Sequence, residues 1–173
     1  MSSILYDEVP ALDLADFDSG DPERKRKFVA DLGAAYNNIG FVAIRNHYLT
    51  DALSDRLYDG VKKFFALPDD IKQRYEIPGL AGQRGYIGKG KEHAKGRNTG
   101  DLKEFYHIGQ ELSASDPDFN RFPANIWPDT LPRFKTTAVS VFRQLEQTGM
   151  DMLRALALFL ELPENYFESR VKN

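Results

Sequence analysis

Phe134, Ala138, Val141, Phe142, Leu145, Met152, Leu153, Leu156 and Leu160 recur at helical spacing. They predict one helix of roughly eight turns, closed by Pro163. A helix that long, with an apolar stripe along it, needs an equally long surface to cover the stripe. The rest of the chain offers few partners. Asp21-Pro22 reads as a capped helix start with proline in the first turn. Phe28, Val29, Leu32, Tyr36 and Ile39 then share a face, and Gly40 ends that helix. Thr50 is placed to cap a second helix with the stripe Leu53, Leu57, Val61, Phe64 and Phe65, closed by Pro68. Residues 69–75 add a short third helix, and PENYFES at 163–169 starts one more turn. Strand composition is confined to 9–14, 41–45 and 102–108, with 41–45 expected to be buried. Residues 113–130, with three prolines, read as loop. Three short strands make a poor sheet. Either the helices pack on one another in an α-rich domain, or part of the fold is absent.

Composition narrows the setting. A chain of 173 residues with 42% hydrophobic content suffices for one packed domain. The net charge of -3 supplies no attraction to nucleic acid or an anionic membrane, so neither is expected as a partner. The absence of cysteine excludes disulfides and thiolate metal sites. The opening MSSILYDEVP lacks the basic start and apolar run of a secretory signal. The longest apolar run, 155–160, is too short to span a bilayer, and a cytoplasmic protein is expected.

The stretch GQRGYIGKGKEHAKG at 82–96 contains the first seven letters of a phosphate-binding loop. The eighth should be Ser or Thr to hold magnesium, yet Glu92 stands there, and its carboxylate would repel phosphate. Gly88 and Gly90 fit a dinucleotide fingerprint, but His93 occupies the third glycine position. Two readings remain: a basic surface loop, or a loop over an active site that meets an anionic substrate.

The histidines do not form a recognisable metal set. His47, His93 and His107 lack both a His-x-Asp or His-x-Glu continuation and the i, i+4 spacing of a helical zinc site. His47 reads as a hydrogen-bonded residue at a strand end. His107 alternates with Phe105 and Lys103 along one strand face. Lys103-Glu104 place charges within an apolar strand, which fits either an edge strand with one wet face or a strand lining a polar cavity. No Gly-x-Ser-x-Gly occurs, and Asp69, Asp70 and Glu92 read as solvated acids. Phe64, Phe65, Phe134 and Phe142 are expected in the core.

The order of four motifs is more specific than any one of them. GFVAIRNH at 40–47, RGYIGKGKEHAKG at 84–96, DLKEFYHIGQE at 101–111 and NIWP at 125–128 precede the long helix. Together they resemble the N-terminal region of the isopenicillin N synthase-like family of iron(II)- and 2-oxoglutarate-dependent oxygenases. The likeness covers almost the whole chain and is nearest to bacterial members with a Gly-Tyr loop followed by Asp-Leu-Lys-Glu-Phe. One departure is local. The family has Asn-His-Gly after the second strand, whereas this chain has Asn46-His47-Tyr48, so positive φ is not expected at the third position.

The resemblance implies an α+β fold, the helix-rich N-terminal part of a double-stranded β-helix (jelly-roll) oxygenase. In the family the iron ligands and the co-substrate's Arg-x-Ser motif lie beyond the long helix. With this chain stopping at Asn173, the metal-binding jelly-roll strands are expected after residue 173 and outside it. No catalytic residue and no metal ligand is then expected within 1–173, and this portion alone should be inactive. The parent enzyme would use iron(II), 2-oxoglutarate and dioxygen to hydroxylate, desaturate or cyclise a small-molecule substrate. The resemblance sets 82–96 near the mouth of the barrel. Arg84 and Tyr86 are the leading candidates for substrate contact, with Lys103, Phe105 and His107 on the neighbouring strand. A guanidinium suits a substrate carboxylate, which it can hold in a bidentate fork. A non-enzymatic, helix-rich binding module derived from such a region is the alternative. Substrate identity and oligomeric state stay open at this level.

Overall fold

The long stripe forms as expected, into a helix over Pro132–Phe159. In a computed structural model that describes residues 9–92 and 100–171, the chain divides into two units. One combines Met1–Thr50 with Gln144–Asn173; the other is Asp51–Arg143. His93 and the end of the glycine loop lie outside the described residues.

The first unit begins with strand β1 (Ala11–Asp13), a one-turn helix α1 (Leu14–Phe17) and helix α2 (Pro22–Asn38). The start of α2 matches its sequence signal: Asp21 accepts a hydrogen bond from the Glu23 amide at 2.8 Å, and Pro22 needs no partner in the first turn. Strand β2 (Ala43–Arg45) returns parallel to β1, pairing Leu12 with Ile44. Leu14, Phe17, Phe28, Leu32, Met152 and Ala155 form the core of this unit. The expectation of a buried strand at 41–45 is corrected. Only the alternate residues Val42 and Ile44 turn toward that core, Ala43 and Arg45 are exposed, and Phe41 is 70% exposed. A two-stranded sheet with one covered face can bury only alternate residues. After β2 the positive φ falls on Asn46, at 53°, and not on Tyr48. Asparagine tolerates that region better than most residues. Tyr48 instead donates its hydroxyl to Asp151 at 2.7 Å. Asp151 is buried and also takes Arg154 at 3.1 Å, while the hydrogen bond to it, reinforced by burial, pushes the Tyr48 hydroxyl up to about 12.

The second unit holds helix α3 (Asp51–Phe65), the short α4 (Asp69–Gln73) and an antiparallel pair, β3 (Gly85–Ile87) with β4 (Phe105–His107). The first part of helix α5 (Pro132–Phe159) also belongs to it, and a last turn, α6 (Glu168–Val171), belongs to the first unit. Phe64 is the centre of its core. The ring lies 4.8 to 6.1 Å from those of Tyr75, Tyr86, Tyr106 and Phe134. Strand β3 has no forerunner in the sequence reading, because three residues are too few to display alternation.

Gly85 lets this sheet close. It pairs with His107 and also bridges to Glu76, at φ 77°. A side-chain carbon there would stand 2.2 Å from the Tyr75 carbonyl oxygen and 2.7 Å from Ile126. Gly85→Ala is therefore expected to cost about 2–3 kcal/mol, from left-handed backbone strain and overpacking together. Urea unfolding of the protein at full length measures it, and a loss under about 0.5 kcal/mol would mean the neighbours yield freely.

Candidate functional site

Of the five residues singled out for substrate contact, Tyr86, Phe105 and His107 lie on the paired strands β3 and β4, where alternation splits them between two faces, and Arg84 and Lys103 lie just before those strands. Tyr86 and Tyr106 oppose each other and point inward to Phe64. Phe105 and His107 lie on the other face with ring centroids 4.5 Å apart. Tyr86 is only 3% exposed, and its hydroxyl donates to Glu104 at 2.6 Å. The same Glu104 oxygen receives the Lys72 ammonium at 2.7 Å. Lys72, on α4, is itself buried and has a second acid, Asp69, at 3.0 Å.

The charges in this cluster reinforce one another. Bonds from Lys72 and then Tyr86 hold the Glu104 carboxyl below its usual range. The bond to Glu104 raises the Lys72 ammonium above its ordinary value, against the opposing effect of burial. Burial first, and the bond to Glu104 second, push the Tyr86 hydroxyl up to about 12. Near neutral pH the cluster is therefore ammonium, carboxylate and phenol, all mutually satisfied.

Lys103 points to the wet side. Its ammonium pairs with Glu92 and lies 5.5 Å from the Phe105 ring centroid. His107 is exposed and engages the Gly82 carbonyl through Nδ1, which leaves Nε2 directed elsewhere. Lys91, the residue that a phosphate loop would aim at its ligand, is committed to the Glu76 carboxylate at 2.6 Å.

Arg84 differs from these. Its Nη1 donates to the Gln83 carbonyl at 2.7 Å. Its Nε is buried and has no acceptor among the described residues. The guanidinium lies directly against Gly109, where an added side-chain carbon would fall 2.0 Å from Cζ and 2.1 Å from Nη2. Gly109 is in turn fixed by Asn125. Its amide donates to Asn125 Oδ1 at 2.8 Å, and Asn125 Nδ2 donates to its carbonyl at 2.8 Å. Asn125 also donates to Glu111 at 2.9 Å, Trp127 adds its indole N–H to the same oxygen at 3.1 Å, and Lys135 reaches the other oxygen at 3.1 Å. Burial works to raise the Glu111 pKa, but these three donors outweigh it and hold the carboxyl below its usual range.

The sequence singles out Arg84 and marks Glu104 only as a charge in an apolar strand, while Lys72, Gly109 and Asn125 carry no signal of the parts they take. One signal was present. Counting by twos back from Tyr106 places Glu104 on the inner face and Lys103 on the outer one.

The described residues do not fit an iron centre. No group of three or more His, Asp or Glu side chains stands together among them as a metal site. Nor is any helix among them long and apolar enough to cross a membrane.

Comparison with known proteins agrees with the motif order. The family model described as non-haem dioxygenase in morphine synthesis N-terminal matches residues 9–130. A 2-oxoglutarate-dependent dioxygenase of Aspergillus flavus is 31% identical, over 94% of this chain and 51% of its own length. A proline hydroxylase of Petromyces alliaceus is 31% identical over 92% of this chain and 50% of its own. The chain thus spans about half the length of these curated relatives, which are fungal. Among solved structures, a 2OG-Fe(II) oxygenase family protein from Caulobacter crescentus aligns with a TM-score of 0.80 at 31% identity, over 92% of this chain and 51% of that one. A full-length Neurospora crassa protein, solved in complex with alpha-KG and thymine, aligns at 0.76 with 25% identity, over 98% and 54%.

Proposed function

This chain belongs to the non-haem dioxygenase N-terminal family, and from that premise we propose that it serves as the N-terminal portion of an iron(II)- and 2-oxoglutarate-dependent oxygenase acting on a small, carboxylate-bearing substrate. The match over 9–130, together with relatives named 2-oxoglutarate-dependent dioxygenases, supports the reaction class. The metal and 2-oxoglutarate would be held by residues other than those described. Jelly-roll strands beyond this chain are part of the same proposal.

The portion present supplies scaffold and one wall of a substrate pocket. Arg84 carries the substrate contact. With Nη1 spent on Gln83, the Nε and Nη2 edge remains, and that edge matches the two oxygens of a carboxylate. The buried Nε, without an acceptor among the described residues, is the observation that supports this role, since a buried donor left unpaired is costly and calls for a partner. Phe105 and His107 offer a ring face and an imidazole nitrogen beside it. Tyr86 and Lys103 contribute through Glu104 and Glu92, as supports of the wall.

The protein at full length is expected to convert 2-oxoglutarate to succinate only when iron(II) is added. Arg84→Met should then raise KM for a carboxylate substrate about 10- to 100-fold, as loss of a charged hydrogen bond requires, and change the uncharged amide analogue little. Iron-independent turnover, or none, would sink the reaction class; equal effects on acid and amide would sink the role of Arg84.

A further inference from the structure

Arg84 is held by something the reaction class does not explain. A free arginine edge is useful only when the guanidinium plane is fixed, because a mobile one loses most of its advantage to side-chain entropy. Two direct contacts and one indirect brace fix it here. Gln83 takes Nη1, Gly109 leaves the space in which the guanidinium lies, and Asn125 clasps the Gly109 backbone on both its N–H and its C=O. The third is unusual, since a side-chain carboxamide stands in for a neighbouring strand. It ties the end of the β4 segment to the segment before α5.

We propose that Gly109 and Asn125 are positioning residues for Arg84, and that through it they set the preference of the site for carboxylate ligands. The proposal rests on the reading of Arg84 given above and adds to it. Gly109 is not among the residues at positive φ, so its backbone accepts alanine. What alanine would meet is the far end of the Arg84 side chain, which can swing away. Gly109→Ala therefore leaves the fold in place and removes the berth. Asn125→Ala keeps the berth's volume but frees its backbone.

Nitrogen-15 spectra of arginine side chains in the protein at full length test this directly. The Arg84 Nε–Hε signal, assigned by its loss in Arg84→Lys, should exchange slowly with water in the unmodified protein. In Gly109→Ala it should shift and exchange at least about tenfold faster, as a buried proton does when brought to solvent, at an unchanged melting temperature. Asn125→Ala should do the same to a smaller extent. Sodium acetate is the probe for the second half, with acetamide as the neutral control. Acetate should move the Arg84 signal, and each variant should weaken that response by about tenfold, the worth of one charge-assisted hydrogen bond. In an Arg84→Met background, Gly109→Ala should have no further effect on affinity, because it acts only through the missing guanidinium. An Arg84 signal unmoved by Gly109→Ala overturns the positioning role. A signal that moves on substitution while acetate never affects the unmodified protein overturns the carboxylate reading, and Gly109 is then only a packing residue.

Discussion

Lys72→Met destabilises the second unit by about 3–5 kcal/mol, the cost of removing one partner from a buried ion pair. The lysine side chain is only 5% exposed and its acid, Glu104, 18%. Without the ammonium, Glu104 keeps the Tyr86 hydroxyl but remains a charge poorly reached by water. The pH dependence follows from the directions of the two shifts. Glu104 has a folded pKa below its usual 4.5, so its contribution is present above that value and is lost as pH falls through the depressed one. Lys72 is raised above 10.5, so its contribution is complete below 10.5 and is lost only as pH rises through the raised value. Across neutral pH both are therefore in force. Below about 4.5, protonation of Glu104 relieves the variant of its unpaired charge while costing the unmodified protein its ion pair. The gap between the two should narrow steadily as the solution is acidified. Lys72→Met combined with Glu104→Gln should recover part of the loss, because no charge is then stranded. Urea unfolding at pH 7 and at pH 4 reads both effects. A gap that widens in acid would show that the pair is not what the lysine contributes.

That cluster also shows what a one-dimensional reading can reach. The helices were legible because apolar spacing repeats through them many times. The long stripe appears as Pro132–Phe159, and Asp21-Pro22 starts α2 as its chemistry demands. Strands of three residues repeat too little to be found that way, and β3 acquires its identity only by pairing with β4. The order of the motifs was legible, but its physical reason was not. The hairpin motif and the strand motif are tied by Tyr86 on Glu104, and the strand motif and NIWP by Gly109 on Asn125 and Glu111 on Trp127. Lys72 stands in a run, DDIKQR, that reads as solvated charge, with its partner 32 residues later. Gly109 reads as a turn after a strand, because nothing in the letters says that a guanidinium lies on it. Arg84 was the exception: its chemistry could be named from one residue, although its berth could not.

Phe64→Ala is expected to cost about 4–5 kcal/mol, at the upper end for an aromatic core truncation. The ring is 0% exposed and meets residues that arrive from separate parts of the second unit: Tyr75 after α4, Tyr86 on β3, Tyr106 on β4 and Phe134 in the first turns of α5. A cavity walled from four directions collapses poorly, since a shift that fills it from one side opens a gap on another. Tyr106 cannot readily follow, because its hydroxyl is bonded to the Ile126 carbonyl. Tyr86 is held likewise by Glu104. Phe64→Leu keeps most of the volume and should cost only about 1–1.5 kcal/mol. The loss should also reach the ligand wall, because Tyr86 and Tyr106 are the inward residues of the hairpin that carries His107 and begins next to Arg84. Hydrogen exchange at the Tyr86 and Tyr106 amides should therefore quicken in Phe64→Ala more than exchange at Leu32, which lies in the core of the other unit. Equal quickening at all three would mean that the two cores melt together; a total cost under about 1.5 kcal/mol would mean that the four rings close over the hole, and that Phe64 fills the hairpin's floor without setting its position.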